Sequence, residues 1–366
     1  MFLWGQPQKL KKGAHPLFCC NFILKFCFWQ SSFTKVFLKL RHRDEGRILV
    51  EKIIEVGLPV DETFCIRRNR LEAKNPNGKR ISIVTGIHGD ELEGQYVAYE
   101  VARILNEKPE HLLGTVDIYP AMNPLGIDTV NRGIPAFDLD MNRIFPGNND
   151  GDMNEYVASK IIEALQGSDL VFDIHASNIY LTEIPQIRIN ELNRNELVPL
   201  AALANIDFIW VHSTSTVLES TLAYSLNMHK NPTPTLVVEM GVGMRITKEY
   251  GNRLTAGIFR LMKELGVWNG EVAEVSDPVI SENPNDVAFL NAPVSGIFIK
   301  NLMCGSKVKK GDEIGKIVDP LTGTVLSPVL APVDGWLFTI REYPVVDQGS
   351  LVGRILMNPK KYSEVK

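Results

Sequence analysis

The fold of this chain is decided by the stretch Ile81-Ser82-Ile83-Val84-Thr85-Gly86-Ile87-His88-Gly89-Asp90-Glu91-Leu92-Glu93-Gly94. A run of β-branched apolar residues, typical of a buried strand, ends here in a glycine turn. The turn carries His88 and Glu91, two side chains that can bind a metal ion. The stretch therefore predicts a sheet strand with chemistry at its carboxyl end.

Two later segments repeat this design. Leu170-Val171-Phe172-Asp173-Ile174 runs into His175, and Thr235-Leu236-Val237-Val238 runs into Glu239. Ligands of α/β proteins lie beyond the carboxyl ends of the strands. We therefore expect these side chains to meet the first pair in one site at one edge of a sheet.

Strands alternate with helices through the middle of the chain, which predicts an α/β sheet covered on both faces. Strands are predicted at Arg80–Val84, Thr115–Tyr119, Leu170–Ile174, Phe208–Val211 and Thr235–Glu239. Helices are predicted at Gly94–Asn106, Asn154–Gln166, Asn190–Ala204, Leu218–Lys230 and Lys248–Leu265. The stretch from Pro120 to Asn149 lacks periodicity and is rich in turns, which is typical of a functional loop.

The 366 residues divide into three parts that differ in composition and in hydrophobic periodicity. Residues 1–46 form a basic and apolar extension, too short in its apolar run to span a membrane, and we expect it to be poorly ordered. Residues 47–277 are predicted to be the catalytic domain. Residues 278–366 are predicted to be a small β domain, because helical periodicity disappears and short strands with glycine turns follow.

Charge and cysteine usage limit the function classes. The formal net charge is −4, so a nucleic-acid partner is not expected, and neither is a membrane partner. The five cysteines form neither a disulfide framework nor a Cys-x-x-Cys pair, which favours a reducing compartment, and we take this to be the cytoplasm.

The metal hypothesis depends on three residues together. Zinc in catalytic sites takes three protein ligands plus a water. An isolated His-x-x-Glu is more often a surface turn, but His175 at a second strand end completes the set His88, Glu91 and His175 for one zinc ion per chain. Asp173 or Asp90 could orient the imidazoles.

Glu239 is the predicted general base. A carboxylate at the end of an apolar strand is costly unless it is paired or functional. Such a group beside the metal could take a proton from water and return it to the leaving nitrogen. The competing interpretation is a salt-bridged glutamate at a strand end.

The long loop carries Arg132 and Arg143. A guanidinium fits a carboxylate through two parallel hydrogen bonds, and it can also stabilise a developing oxyanion. Residue chemistry alone does not assign the two roles, and isolated arginines in a loop are usually surface charges.

Taken together, these motifs resemble a known family. His-Gly-Asp-Glu, Asn-Pro-x-Gly, Asp-x-Asn-Arg-x-Phe-Pro-Gly, Asp-Ile-His and a strand-end Glu follow one another between Ser82 and Gly241, a pattern similar to the succinylglutamate desuccinylase/aspartoacylase family. The resemblance implies a zinc-carboxypeptidase-like mixed sheet flanked by helices. It implies that His88, Glu91 and His175 bind zinc and that Glu239 is the general base and acid.

The same resemblance assigns the substrate-side residues. It implies that Asn142 and Arg143 hold the substrate carboxylate and that Arg132 lies at the oxyanion. A substrate-binding tyrosine is also expected of such folds, and the motifs match none of Tyr180, Tyr224 and Tyr250 to that role.

The C-terminal part contains a short internal sequence repeat. Ala292-Pro293-Val294-Ser295-Gly296 recurs as Ala331-Pro332-Val333-Asp334-Gly335, which resembles a lipoyl-type barrel-sandwich hybrid. No Met-Lys-Met is present to carry a cofactor, so the domain is predicted to wall the active site or to mediate homo-oligomerisation.

The sequence thus predicts a zinc-dependent amidohydrolase whose partner is a small N-acyl amino acid or a related carboxylate-bearing amine. Two alternatives stay open at this point. One is a zinc carboxypeptidase acting on small peptides, and the other is a non-catalytic metal-binding protein whose β domain binds a partner.

Overall fold

The computed structural model describes residues 49–135, 137, 139–213 and 218–365. The predicted extension, residues 1–46, lies outside these ranges. Residues 48–366 form one compact unit. None of the described helices is long and apolar enough to cross a bilayer.

The described chain contains eighteen strands and seven α-helices. The strands are β1 Leu49–Gly57, β2 Thr63–Glu72, β3 Arg80–Thr85, β4 Thr115–Tyr119, β5 Leu170–Ala176, β6 Leu181–Asn190, β7 Phe208–His212, β8 Thr235–Gly241, β9 Val279–Ser281, β10 Val287–Asn291, β11 Gly296–Lys300, β12 Lys307–Val308, β13 Glu313–Asp319, β14 Thr324–Leu330, β15 Gly335–Arg341, β16 Val345–Val346, β17 Leu351–Leu356 and β18 Lys360–Lys361. The α-helices are α1 Glu93–Glu107, α2 Pro124–Thr129, α3 Met153–Leu165, α4 Arg194–Ala201, α5 Leu222–Asn227, α6 Lys248–Glu264 and α7 Tyr362–Val365. Short 3₁₀ turns lie at Pro59–Asp61, Pro109–His111, Met141–Arg143, Glu191–Asn193, Leu218–Ser220 and Pro284–Asp286.

A large mixed sheet forms the body of the molecule, and its central path runs β1-β2-β4-β3-β5-β8-β6-β15-β17-β10. The neighbours β4, β3, β5 and β8 are mutually parallel, whereas β6 runs antiparallel to β8. Because parallel strands end at the same edge, the segments that follow β3, β5 and β8 converge there. The predicted mixed α/β sheet is confirmed.

Alternating residues of the central strands pack into two cores. Ile83 of β3 and Phe172 of β5 face one core, which α1 and α6 cover with Val101 and Ile258. Val84 and Val171 face the opposite core, which α3 covers with apolar residues of its own. Both faces of the sheet are therefore buried, as near-continuous apolar strands require.

Most of the predicted elements are confirmed, with two corrections near the site. The helix predicted from Asn190 begins only at Arg194, because Leu181–Asn190 is strand β6, which the sequence did not predict. The helix predicted at Leu218–Lys230 is the short α5 preceded by a 3₁₀ turn. The sequence of β6 does not resemble a buried strand, because polar residues and Pro185 interrupt its apolar pattern. The buried Glu183 is tolerated there because it accepts hydrogen bonds from Gln186 and Arg188.

The C-terminal part is all β apart from its last turn and joins the main sheet directly. Strands β14-β13-β11-β16 form a separate four-stranded sheet, whereas β15 pairs with β6, with Thr339 opposite Glu183. Phe338 of β15 and Phe208 of β7 are fully buried against each other at this junction. The predicted boundary at residue 278 is therefore crossed by a continuous sheet and a shared apolar cluster.

Candidate active site

Three strand ends bring the predicted site residues together. Strands β5 and β8 are paired so that His175 lies opposite Glu239. Strands β3 and β5 are paired so that Thr85, the last residue of β3, lies opposite Ile174. The turn after β3 then places His88 and Glu91 at the same edge. All four side chains line one cavity of about 470 Å³.

The three predicted ligands converge on one point. His88 Nδ1 lies 2.7 Å from Glu91 Oε1, and His175 Nδ1 lies 2.8 Å from Glu91 Oε2. The two Nδ1 atoms are 3.2 Å apart, and all three residues are buried.

This arrangement fits a zinc ion. Two ligand atoms held 2.0–2.1 Å from a tetrahedral zinc are about 3.3 Å apart, close to the spacing of the two Nδ1 atoms. The donors are two imidazole nitrogens and a carboxylate, the set that catalytic zinc sites use. The residues present can therefore hold the metal that the sequence predicts.

Two carboxylates orient the imidazoles from behind. His175 Nε2 lies 3.2 Å from Asp173 Oδ1, and His88 Nε2 lies 3.0 Å from Asp140 Oδ1. Of the two candidates left open by the sequence, Asp173 takes this position, while the partner of the His88 ring is Asp140 rather than Asp90. His88 Nε2 is thus within hydrogen-bond distance of Asp140, and the Asp173 carboxylate lies at ion-pair distance from His175 Nε2, so that each carboxylate can orient its imidazole.

Charge in this cluster shifts the pKa values of its members. Burial by itself would raise the pKa of Glu91, but His88 and His175 hold the pKa of that carboxyl well below its usual range. Burial disfavours a charged His175, yet Asp173 and Glu91 raise the pKa of its imidazole well above the ordinary value. The two imidazoles therefore favour the ionised form of Glu91, which is the form in which a carboxylate binds a metal ion.

Glu239 is both in the cavity and paired. Its Oε1 lies 3.2 Å from Arg188 Nη1, and its side chain is 16% exposed. Burial raises the pKa of Glu239, and the positive charge of Arg188 opposes that shift. The sequence allowed two interpretations of Glu239, a general base and a salt-bridged glutamate. The structure shows a carboxylate that lies beside the ligand cluster and is also salt-bridged.

Arg132 lies against the ligand cluster. Its Nη1 donates to Glu91 Oε1 at 2.9 Å, and its Nη2 lies 3.3 Å from Asp140 Oδ2. The side chain is 40% exposed and lines the cavity. A guanidinium here can donate to an oxygen developing beside the metal position.

The two other substrate-side residues also reach the cavity. Asn142 is buried, and its Oδ1 accepts a hydrogen bond from the Leu222 backbone N–H at 2.9 Å. Arg143 is exposed, and its Nη1 donates to the Asn142 carbonyl at 2.7 Å. Of the three unmatched tyrosines, Tyr180 and Tyr224 are among the described lining residues, and Tyr250 is not.

Sequence reasoning missed three charged residues of this cavity, Glu183, Arg188 and Arg354. Glu183 and Arg188 belong to the unpredicted strand β6, and Arg354 comes from β17 of the C-terminal part. The cavity also includes His212, whose pKa is lowered by burial. The one local signal was the presence of charged residues between apolar ones in Leu181–Asn190.

Comparison with known proteins agrees with this geometry. The Succinylglutamate desuccinylase/Aspartoacylase catalytic domain family matches residues 77–265. A relative from Halomonas elongata, named N-alpha-acetyl-L-2,4-diaminobutyric acid deacetylase, is 25% identical over 287 residues, which cover 77% of this chain and 83% of that protein.

Solved structures show the same fold. A succinylglutamate desuccinylase/aspartoacylase from Rhodobacter sphaeroides is 22% identical with a TM-score of 0.71, over 87% of this chain and 97% of that one. The product-bound ectoine utilization protein EutE (DoeB) from Ruegeria pomeroyi is 19% identical with a TM-score of 0.73, over 86% of this chain and 96% of that one. The family match covers more than half of the residues and includes the whole ligand cluster, so this chain belongs to the succinylglutamate desuccinylase/aspartoacylase family.

Proposed function

We propose that this protein is a zinc-dependent amidohydrolase on a zinc-carboxypeptidase-like fold. It removes a small acyl group from the nitrogen of an amino acid or a related carboxylate-bearing amine. The observation that carries the proposal is the convergence of His88 Nδ1, His175 Nδ1 and the Glu91 carboxylate beside Glu239. These three ligands would hold one zinc ion per chain.

When bound, zinc supplies Lewis-acid chemistry, which polarises a carbonyl and lowers the pKa of water at the site to about 7. Glu239 takes a proton from the attacking water. The water oxygen bonds to the amide carbon, and the carbon–nitrogen bond then breaks. Glu239 gives the proton to the departing nitrogen, so that the products are a carboxylic acid and an amine.

The remaining residues bind and orient the substrate. Arg132 donates to the oxygen that becomes negative as water adds, from its present position 2.9 Å from Glu91. The exposed guanidinium of Arg143 forms paired hydrogen bonds with the substrate carboxylate, and Asn142 beside it contributes a side-chain amide.

The name of the Halomonas elongata relative supports N-acetylated diamino acids as the first compounds to test. The experiment is a screen of the zinc-loaded protein against N-acetyl and N-succinyl amino acids beside a panel of dipeptides. Hydrolysis of the N-acyl amino acids is expected. Cleavage of the dipeptides alone would instead favour a carboxypeptidase, and no hydrolysis of either panel would favour a non-catalytic metal-binding protein. The cytoplasmic location, the homo-oligomer and the absence of nucleic-acid and membrane partners stay predictions.

A further inference from the structure

A chain of four charged side chains links the C-terminal part to Glu239. Arg354 Nη1 donates to Glu183 Oε1 at 2.6 Å, and Arg188 Nη2 donates to Glu183 Oε2 at 2.8 Å. Arg188 Nη1 then lies 3.2 Å from Glu239 Oε1. We call Arg354, Glu183, Arg188 and Glu239 the ion chain.

The middle of the ion chain is rigidly held. The Glu183 side chain is 1% exposed, and each of its oxygens has two donors. Besides the two arginines, these are Gln186 Nε2 at 2.9 Å and Thr339 Oγ1 at 3.3 Å. A buried carboxylate with all of these partners has one favoured position, because any movement leaves buried charge unpaired.

Both guanidiniums also rest on aromatic rings. The guanidinium carbons of Arg188 and Arg354 lie 5.8 and 5.9 Å from the ring centre of Trp210, and that of Arg354 lies 5.7 Å from the ring of Phe289. Cation–π contacts of this kind restrict arginine side chains that would otherwise sample many rotamers. Arg188 is thereby fixed on two sides, by Glu183 and by Trp210.

Glu239 depends on this fixed arginine. In the described part of the chain, Arg188 is the cation within 4 Å of the Glu239 carboxylate. A base is effective only when its carboxylate is held in the productive geometry, and a displacement of about 1 Å can cost about 100-fold in rate.

We propose that Arg354, Glu183 and Arg188 are positioning residues that hold the Glu239 carboxylate in place for proton transfer. This inference rests on the proposed role of Glu239 as general base. It assigns the C-terminal part a task in the reaction, since Arg354 lies on β17, outside the segment that matches the family's catalytic domain. A purely structural ion cluster at the junction is the competing account, and it predicts a loss of stability without a selective loss of kcat.

Kinetics of the full-length, zinc-loaded protein on its best N-acyl amino acid test the proposal. Arg354→Met removes the first link, Arg188→Met removes the last, and the double variant removes both. Arg354→Gln keeps a donor but no charge and is measured alongside in case the Met variant does not fold. Arg253→Met is the matched control, because Arg253 is also hydrogen-bonded to a carboxylate, that of Asp207, at 2.7 and 2.9 Å and is not among the cavity residues.

The expected result is a loss of about tenfold in kcat for Arg354→Met and Arg354→Gln, with KM and the zinc content unchanged. The double variant is expected to be no slower than Arg188→Met, since Arg354 acts through Arg188. Arg354→Lys is expected to recover most of the lost rate. Arg253→Met should keep the wild-type kcat.

Wild-type kcat in both Arg354→Met and Arg354→Gln would overturn the proposal, and so would fully multiplicative losses in the double variant. A crystal structure of Arg354→Met, or of Arg354→Gln if only that variant folds, measures the Arg188–Glu239 separation directly. It therefore tests the positioning role independently of whether the proposed reaction is correct. If the wild type hydrolyses no N-acyl amino acid, the proposed reaction is wrong, while the positioning claim is judged on coordinates. An Arg188–Glu239 separation that stays at 3.2 Å without Arg354 would refute it.

Discussion

His88 Nδ1 and His175 Nδ1 lie 3.2 Å apart, although 87 positions separate the two residues in sequence. Both atoms lie within 2.8 Å of the Glu91 carboxylate, and an aspartate oxygen lies 3.0 Å from the opposite nitrogen of His88 and 3.2 Å from that of His175. Two imidazoles placed in this way direct their Nδ1 atoms to one point, which is the arrangement that a tetrahedral cation requires.

His175→Ala is expected to remove the metal. Two remaining ligands do not form a catalytic zinc site, so the zinc content should fall from one per chain towards zero and activity should be lost. Elemental analysis of the purified protein measures this directly. His111→Ala is the matched control, because His111 pairs with Asn269 and is not among the cavity residues. A His175→Ala protein with one zinc per chain would contradict the ligand assignment.

Glu239→Gln should retain zinc and lose turnover. The amide has nearly the same shape but does not accept a proton, so kcat is expected to fall by about 100-fold to 10,000-fold. Steady-state kinetics with metal analysis of the same preparation provide the test. Glu249→Gln, at an exposed position on α6, is expected to behave like the wild type. Full turnover of Glu239→Gln with zinc bound would remove Glu239 from its role.

Arg143→Ala should mainly raise KM. The guanidinium is expected to bind the substrate carboxylate in the ground state and the transition state alike, and such binding affects KM more than kcat. The comparison is between an N-acetyl amino acid and the corresponding carboxamide. The wild type is expected to prefer the carboxylate by about tenfold or more, and the variant to lose that preference. An unchanged ratio would show that another residue recognises the carboxylate.

Cys304 should resist alkylation in the folded protein. Its thiol donates to the Phe338 carbonyl at 3.1 Å at the junction of β15 and β6, and burial raises its pKa from 9.0 to about 12. The folded state therefore favours the neutral thiol, and the stabilisation is complete below pH 9.0 and is lost as the pH rises towards about 12.

Peptide mapping after iodoacetamide treatment at pH 9 is the measurement, with the denatured protein as the control. The thiolate is the reactive species, so the native Cys304 peptide should be labelled at least tenfold more slowly than the denatured one, because a much smaller fraction of the buried thiol is ionised. Equal rates would mean that the junction opens readily or that the thiol is not buried.

Local pattern was sufficient to predict which residues the structure brings together at one edge of the sheet. Apolar runs that stop at His175 and Glu239 mark strand ends, and parallel strands bring their carboxyl ends to one edge whatever their distance in sequence. Such features need only a few consecutive residues, so they can be read from the sequence.

The partners of these residues could not be read in the same way. Asp140 meets His88 across 52 positions, and Arg354 meets Glu183 across 171. Strand β6 was missed because its charged residues do not fit the apolar pattern of a buried strand. Burial of the Glu183 carboxylate is tolerated because it pairs with two arginines, Arg188 and Arg354.

The sequence by itself predicted the mixed α/β fold, the family and the three residues that converge as candidate ligands, because strand ends and short motifs are properties of neighbouring residues. Only the tertiary structure decided which nitrogen of each imidazole faces the metal position, which aspartate supports it, and which arginine binds Glu239. These choices depend on ring orientation and on contacts between distant segments. The imidazoles are oriented by Asp173 on β5 and by Asp140 in the long loop, and Arg188 reaches Glu239 because β6 pairs with β8.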